Sequence, residues 1–117
     1  MMRPRISWFQ SPLGTTRYPG VMHYLLFYEV EQGYVERRAP FRNEHLALAR
    51  QAYDKGDLML AGALADPPDG AVLVFRGPEA AEAFAKADPY VSNGLIKSWK
   101  VRKWNTVVGD GASMPVL

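Results

Sequence analysis

The 117-residue sequence contains no cysteine. This absence excludes a disulfide framework, a thiolate nucleophile and any zinc or iron–sulfur site with cysteine ligands. The sequence also lacks an apolar run close to the roughly 20 residues that a membrane-spanning helix needs. Residues 1–21 have no continuous apolar stretch of the kind found in signal peptides. We therefore expect a soluble, cytoplasmic protein that does not enter a membrane.

Histidine is scarce, with two residues in the chain, His23 and His45. Two histidines without a nearby group of acidic residues do not make a metal site, so we expect neither a metal nor another cofactor. His45 follows Arg38 and Arg42 in a segment with a helical pattern, which makes it the main candidate for a reactive side chain. His23 lies at the start of a predicted strand and is interpreted as structural.

A strong excess of charge of one sign is also missing, because the net charge is only +2. Three of the 14 basic residues and none of the 12 acidic residues lie in residues 1–21, so the rest of the chain is nearly neutral. A nearly neutral body argues against a nucleic-acid surface. The basic residues within 97–103 alternate with apolar residues and are interpreted as the solvated face of a strand.

Length and composition indicate one domain, since 117 residues with 48% hydrophobic content suffice for a single core. Residues 1–21 contain three prolines and two glycines and show no helix or strand period, so we expect an irregular N-terminal extension. The domain should span residues 22–108. Residues 109–117 are expected to form a loose C-terminal tail.

Hydrophobic periodicity predicts four strands and two helices within this domain. The predicted strands are residues 22–30, 57–64, 71–76 and 96–108, and the predicted helices run from Pro40 to Lys55-Gly56 and over residues 78–87, ending before Pro89. The order β-α-β-β-α-β is that of the ferredoxin-like split βαβ arrangement, an α+β fold with two helices on one face of an antiparallel sheet.

The helices show candidate buried residues, and the sheet shows a surface that needs a cover. The apolar positions are Phe41, Leu46, Ala49, Ala52 and Tyr53 in the first helix, and Ala80, Ala83, Phe84 and Ala87 in the second.

Residues 22–30 are apolar at both alternating sets of positions, as in a strand that is buried on both faces. Because the helices cover only one face, we expect a homodimer that buries the other.

Several segments resemble the YciI-like (YCII-related) family over residues 22–108. They are MHYLLFYEV, YVERRAPFRNEHL, GDLMLAGAL and ADPYVSNGLIKSWKVRKWNTV, and the most specific parts are the segment around His45, Ala61-Gly62 and Asp88 to Tyr90. The resemblance implies a dimeric ferredoxin-like α+β fold. It also implies a histidine–aspartate dyad and small-molecule chemistry such as dechlorination.

The position of His45 near the start of a helix favours a neutral imidazole, because the positive end of the helix dipole opposes an imidazolium. A neutral imidazole can accept a proton, and a carboxylate on its other nitrogen would orient it. Asp88 is the best candidate for that carboxylate, with Glu29 and Glu31 as alternatives. Asp88 has a structural alternative as well, since Asp commonly braces a turn such as the one before Pro89.

Three further residues are candidates for binding a substrate. Arg38 and Arg42 would share the face of His45 and bind an anionic group, and Tyr90 would donate to a developing oxyanion. The structural alternatives are surface ion pairs of the arginines with Glu36 and Glu44, and a packing role for Tyr90.

Two functional hypotheses follow. The first is a small lyase-like, dehydrochlorinase-like or isomerase-like enzyme, in which His45 and Asp88 perform cofactor-free acid–base chemistry on a small aromatic or enolic anion. The second is a non-catalytic dimeric module that binds a small metabolite or a partner. A nucleic-acid-binding domain is disfavoured, because no set of aromatic residues resembles a base-stacking platform.

Overall fold

The computed structural model describes residues 21–116, which form one four-stranded sheet with helices. The elements are β1 (Tyr24–Val30), α1 (Tyr34–Arg37), α2 (Ala39–Asp54), β2 (Leu58–Ala63), β3 (Gly70–Phe75), α3 (Pro78–Ala87), α4 (Pro89–Ser92) and β4 (Ile96–Lys103). The strand order is β2-β3-β1-β4, and neighbouring strands are antiparallel. The predicted ferredoxin-like α+β fold is confirmed. Apart from Val21, the predicted N-terminal extension lies outside the described residues.

Strand β1 occupies a central position and supplies the middle of the core. Leu26 pairs with Leu73 of β3 and with Val101 of β4, and Tyr28 pairs with Ala71 and with Trp99. Side chains alternate between the two faces of a strand, so Leu26 and Tyr28 share one face. On this face they join a buried cluster with residues of the helices, including Ala81, Phe84 and Ala85.

Helix α2 begins and ends as its sequence predicts. Pro40 lies in its first turn, where a missing N–H costs no hydrogen bond. At the other end, Gly56 has a φ of 85°, a conformation that favours glycine. The N–H of Gly56 donates to the carbonyl of Tyr53, and the N–H of Asp57 donates to that of Ala52, both at 3.0 Å. This pair of bonds forms a Schellman motif that ends the helix.

The buried faces of the two long helices differ from the predicted ones. On α2, Leu46 and Tyr53 are 47% and 53% exposed, whereas Leu48 packs against the core. On α3, the predicted residues Ala83 and Ala87 are exposed. The buried side chains of α3 are Ala81, Phe84 and Ala85. Alanines occur on every side of α3, so their pattern could not define the buried face.

Two short helices, α1 and α4, lie outside the strands and helices that the sequence predicted. Gly33, at the N-cap of α1, has a φ of 81° that turns the chain out of β1. Helix α4 starts at Pro89, and the preceding Asp88 caps it through its side chain. No helix within residues 21–116 is both long and apolar enough to cross a membrane.

The C-terminal segment was predicted to be a loose tail, but it folds back onto the preceding chain. Strand β4 ends at Lys103, and the following chain folds back so that the N–H of Met114 donates to the carbonyl of Thr106 at 2.9 Å. The Thr106 hydroxyl oxygen also accepts from the N–H of Ser113 at 2.8 Å and lies 2.8 Å from His23 Nδ1. These contacts tie residues 106–114 to the beginning of β1.

The face of the sheet opposite the helices is apolar along β1 and β3, whereas β4 contributes Lys100 and Arg102 to it. Leu25 and Phe27 of β1 alternate with the buried Leu26 and Tyr28 and are half-buried. Val72 and Val74 of β3 lie opposite them in the register and share their face. Leu60 of β2 pairs with Val74 and is 73% exposed. Within residues 21–116, all four helices contribute side chains to the cluster on the other face or pack against it.

We predict that His23 makes the stability of the fold depend on pH. Burial, and secondarily the positive charge of Arg76, lowers the pKa of His23 from its ordinary value of 6.5. The unfolded chain therefore binds a proton before the folded chain does. The stabilising contribution of the neutral ring is fully present above pH 6.5 and is lost as the pH falls through the lowered pKa.

Urea unfolding at neutral and at mildly acidic pH measures this effect. The free energy of unfolding should fall more on acidification in the wild type than in His23→Gln, which has no ring to protonate. The same decrease in both proteins would contradict the prediction.

Candidate functional site

His45 and Asp88 are brought together by helix α2 and by the turn between α3 and α4. His45 lies in the second turn of α2, on the side that faces the sheet and α4. Asp88 has an extended backbone, with φ −70° and ψ 123°, as expected for a residue that precedes proline. This conformation ends α3 and directs the Asp88 side chain toward α2. His45 Nδ1 lies 2.9 Å from Asp88 Oδ1.

The Asp88 carboxylate is fully buried and has a hydrogen-bond partner on each oxygen. Oδ1 accepts from the N–H of Tyr90 at 3.0 Å and contacts His45 Nδ1, while Oδ2 accepts from the Tyr28 hydroxyl at 2.8 Å. Burying a carboxylate is costly unless donors surround it, and these three partners meet that requirement. An ionised carboxylate only accepts, so if Asp88 is ionised the hydrogen between the two side chains is carried by His45 Nδ1.

The imidazole ring of His45 is fixed on its faces as well as at Nδ1. It stacks on the ring of Tyr90 with a centroid separation of 3.9 Å and an interplanar angle of 8°. Phe84 of α3 approaches it edge-on, with centroids 6.2 Å apart. The His45 side chain keeps 17% of its surface exposed and lines a cavity. Because Nδ1 is engaged by Asp88, Nε2 is the nitrogen that remains for a ligand.

The cavity beside His45 has a volume of about 320 Å³ and lies between α1, α2 and the sheet. Small-molecule sites commonly measure roughly 300–1,000 Å³, so the space suits a compact ligand. On the sheet side it is lined by small residues, namely Ala61, Gly62, Ala63 and Ala71. On the helix side it is lined by larger aromatic and basic residues. The small residues of β2 and β3 create the space.

Arg38 and Arg42 both line this cavity. Arg38 donates to the Tyr34 hydroxyl at 3.3 Å, and its guanidinium lies 5.2 Å from the centre of the Tyr34 ring. Within residues 21–116, neither arginine forms the ion pair with Glu36 or Glu44 that was the structural alternative. Two guanidinium groups therefore add positive charge to the cavity.

Tyr90 also lines the cavity, and its hydroxyl is buried without a hydrogen-bond partner among the described residues. Burial and the neighbouring Tyr34 raise the pKa of Tyr90, against the opposing effect of Arg42 and Arg38. The phenol therefore stays protonated near neutral pH and can donate. A buried donor without an acceptor is costly, so a ligand that accepted this hydrogen bond would remove the cost.

The remaining candidates from the sequence lie away from His45. Glu29 accepts from the Ser98 hydroxyl at 3.0 Å and pairs with Lys97, and Glu31 is exposed at the end of β1. Neither forms a hydrogen bond with His45, which contacts Asp88 instead. His23 belongs to the cluster around Thr106. No group of three or more potential metal ligands occurs in the part of the chain that the structure describes.

Sequence reasoning missed Tyr28 and Tyr34. Both residues line the cavity, and Tyr28 belongs to β1 whereas Tyr34 belongs to α1. Tyr28 is one of several aromatic residues in a strand that is apolar on both faces, so nothing local distinguishes its hydroxyl from that of Tyr24. Its hydrogen bond to Asp88 joins residues 60 positions apart, which only the fold reveals.

Comparisons with known proteins agree with this fold. The family model of the YCII-related domain matches residues 22–105. Protein YciI of Escherichia coli and that of Shigella flexneri are each 30% identical over 97 residues, which cover 74% of this chain and 99% of each relative.

Among solved structures, one similar protein is the 5-chloro-2-hydroxyhydroquinone dehydrochlorinase of Burkholderia phenoliruptrix in complex with 2,5-dihydroxybenzoquinone. It superposes with a TM-score of 0.61 and 19% identity, and the match covers 73% of this chain and 95% of that chain. At this level of identity, the similarity establishes the shared fold. The match over residues 22–105 and the 30% identity to YciI lead to one conclusion: the chain belongs to the YCII-related domain family.

Proposed function

We propose that the cavity beside His45 is the active site of a small-molecule enzyme that performs cofactor-free acid–base chemistry. The observation that supports this most is the 2.9 Å hydrogen bond between His45 and Asp88 at the wall of a cavity that also contains two arginines. A buried carboxylate on one imidazole nitrogen and open space near the other is the arrangement that a general base requires. Asp88 also caps α4, so the same side chain serves the fold and the site.

In the proposed reaction, His45 Nε2 accepts a proton from the substrate, and the resulting imidazolium is stabilised by Asp88. The electron pair of the broken bond to hydrogen then forms a double bond. In an elimination, a leaving group departs with its own electron pair from the neighbouring atom. In an isomerisation, His45 returns the proton to a different atom. Both outcomes use the same base, and neither needs a metal or an organic cofactor.

The proposed substrate is a small aromatic or enolic anion. Arg38 and Arg42 would bind its negative charge, and such charge-assisted hydrogen bonds are strong where water is partly excluded. The Tyr90 hydroxyl, which has no hydrogen-bond partner within residues 21–116, would donate to an oxygen on which charge develops. The dehydrochlorinase with a similar fold acts on a chlorinated hydroquinone, as its name states, so halogenated phenols are the first compounds to test. We place this chemistry in the cytoplasm, which a chain without cysteine suits.

We also propose that the protein is a homodimer in which the apolar sheet face of one copy packs against that of another. Leu25, Phe27, Val72 and Val74 lie side by side on this face, and Leu60 extends it at the edge. Exposed apolar patches of this kind usually mark an interaction surface. A closed dimer uses the same patch on both copies, so each copy covers the apolar face of the other.

We predict that His45→Gln abolishes most of the turnover of whichever halogenated phenol or enol proves to be a substrate. Removing a general base costs at least about a hundredfold in rate, whereas binding through the arginines should change little. Chloride release and the change in ultraviolet absorbance measure turnover, and calorimetry with 2,5-dihydroxybenzoquinone measures binding.

His23→Gln is the matched control, because it removes the other histidine, whose side chain contacts Thr106 outside the cavity. It should keep the activity of the wild type. If no compound is turned over and His45→Gln binds ligands as the wild type does, the non-catalytic binding module replaces the proposed enzyme.

We predict that light scattering after size exclusion gives a mass of twice 13.1 kDa for the wild type. Leu60→Glu should give a folded monomer, because the side chain is already 73% exposed in one copy but would be buried as a charge in the dimer. Tyr53→Glu, at a similarly exposed position on α2, should remain dimeric. A wild type with the mass of a single chain would contradict this proposal.

A further inference from the structure

Tyr28, a residue of the sheet, forms a hydrogen bond with the Asp88 carboxylate. The proposed reaction does not use Tyr28. Tyr28 lies on β1 and is buried, and its hydroxyl donates to Asp88 Oδ2 at 2.8 Å. The other oxygen, Oδ1, faces His45 Nδ1 at 2.9 Å and the N–H of Tyr90 at 3.0 Å. The two carboxylate oxygens therefore have separate partners, one on the sheet and the others on the helices.

Tyr28 is a permanent donor in this arrangement. Burial, followed by the charge of Asp88 and the hydrogen bond to it, raises the pKa of the Tyr28 phenol far above neutrality. The hydroxyl consequently keeps its hydrogen over the range in which the site would work. If the hydroxyl were absent, Oδ2 would be a buried acceptor with no other hydrogen-bond partner among the described residues.

We propose that Tyr28 is a positioning residue: its hydroxyl orients Asp88 toward His45 and takes up part of the carboxylate charge, so that Asp88 holds an imidazolium less tightly. This inference rests on the proposed function of His45 as a base that gains and releases a proton in each cycle. A carboxylate with fewer donors would bind the imidazolium more strongly and slow the release of the proton. Tyr28 thus adjusts the proton affinity of His45 through Asp88, to which its hydroxyl donates.

Other groups around His45 are compatible with this role. The charged and titratable side chains that face the cavity or the ring are Asp88, Tyr28, Arg38, Arg42, Tyr34 and Tyr90. From α3, the ring meets Phe84, and from β2 and β3 the cavity is lined by residues that do not titrate. Among these groups, only Tyr28 reaches Asp88 Oδ2.

The test is an NMR titration of His45 in the full chain without substrate, comparing the wild type with Tyr28→Phe. The midpoint of the His45 titration should move upward by about half a pH unit or more in Tyr28→Phe, since each unit corresponds to about 1.4 kcal/mol. The control Tyr24→Phe removes a hydroxyl from the same face of β1, and it should leave the midpoint in place. A midpoint in folded Tyr28→Phe that is unchanged or lower overturns the proposal.

A second measurement needs no variant, in case Tyr28→Phe does not fold. The ring signals of Tyr28 in the wild type should follow the His45 titration with the same midpoint, whereas those of Tyr24 should not. Tyr28 signals that stay constant through the titration overturn the proposal. This readout is independent of turnover: lost activity in His45→Gln with an unmoved midpoint in Tyr28→Phe rejects only the role of Tyr28. A midpoint that moves in Tyr28→Phe, together with activity that is retained in His45→Gln, rejects only the proposed function.

Discussion

The burial of one carboxylate, that of Asp88, is the constraint on which this structure depends. A buried charge is stable only when donors surround it, and here they come from β1, α2 and the first turn of α4. The same three contacts therefore connect the sheet, the long helix and the turn between the last two helices. His45, one of the three partners, lies at the wall of a cavity. The Asp88 carboxylate that organises this part of the fold therefore also orients the candidate base.

The cavity arises where small residues of the sheet leave space beside the buried core. Side chains such as Leu26 and Phe75 fill the space between sheet and helices in the middle of the domain. Toward Ala61, Gly62 and Ala63 the sheet side chains are small, and α2 contributes Arg42 and His45 beside the apolar Leu46 and Ala49. The domain is less closely packed at this end. The resulting space is lined by basic groups, a buried tyrosine hydroxyl and an imidazole.

The sequence predicted the order of strands and long helices, because alternation, helix caps and proline positions are local signals. It also singled out His45 and Asp88, since reactive side chains are few and Pro89 forces Asp88 out of a helix. The buried face of α3 was placed incorrectly because its many alanines differ little from one position to the next, and the face depends on where Phe84 meets the core. Tyr28 was not found, since its significance lies in a contact between distant residues that no local pattern contains.

In the proposed reaction, Asp88 determines which nitrogen of His45 carries the hydrogen and leaves the other free for a proton from the substrate. Nitrogen NMR of the imidazole rings at a pH where they are neutral tests this directly, and the two histidines can be distinguished with His23→Gln. We expect His45 to carry its hydrogen on Nδ1 and Asp88→Asn to disturb this preference. A His45 ring with its hydrogen on Nε2 would contradict the proposed role of Asp88, because the nitrogen proposed as the base would then have no free electron pair.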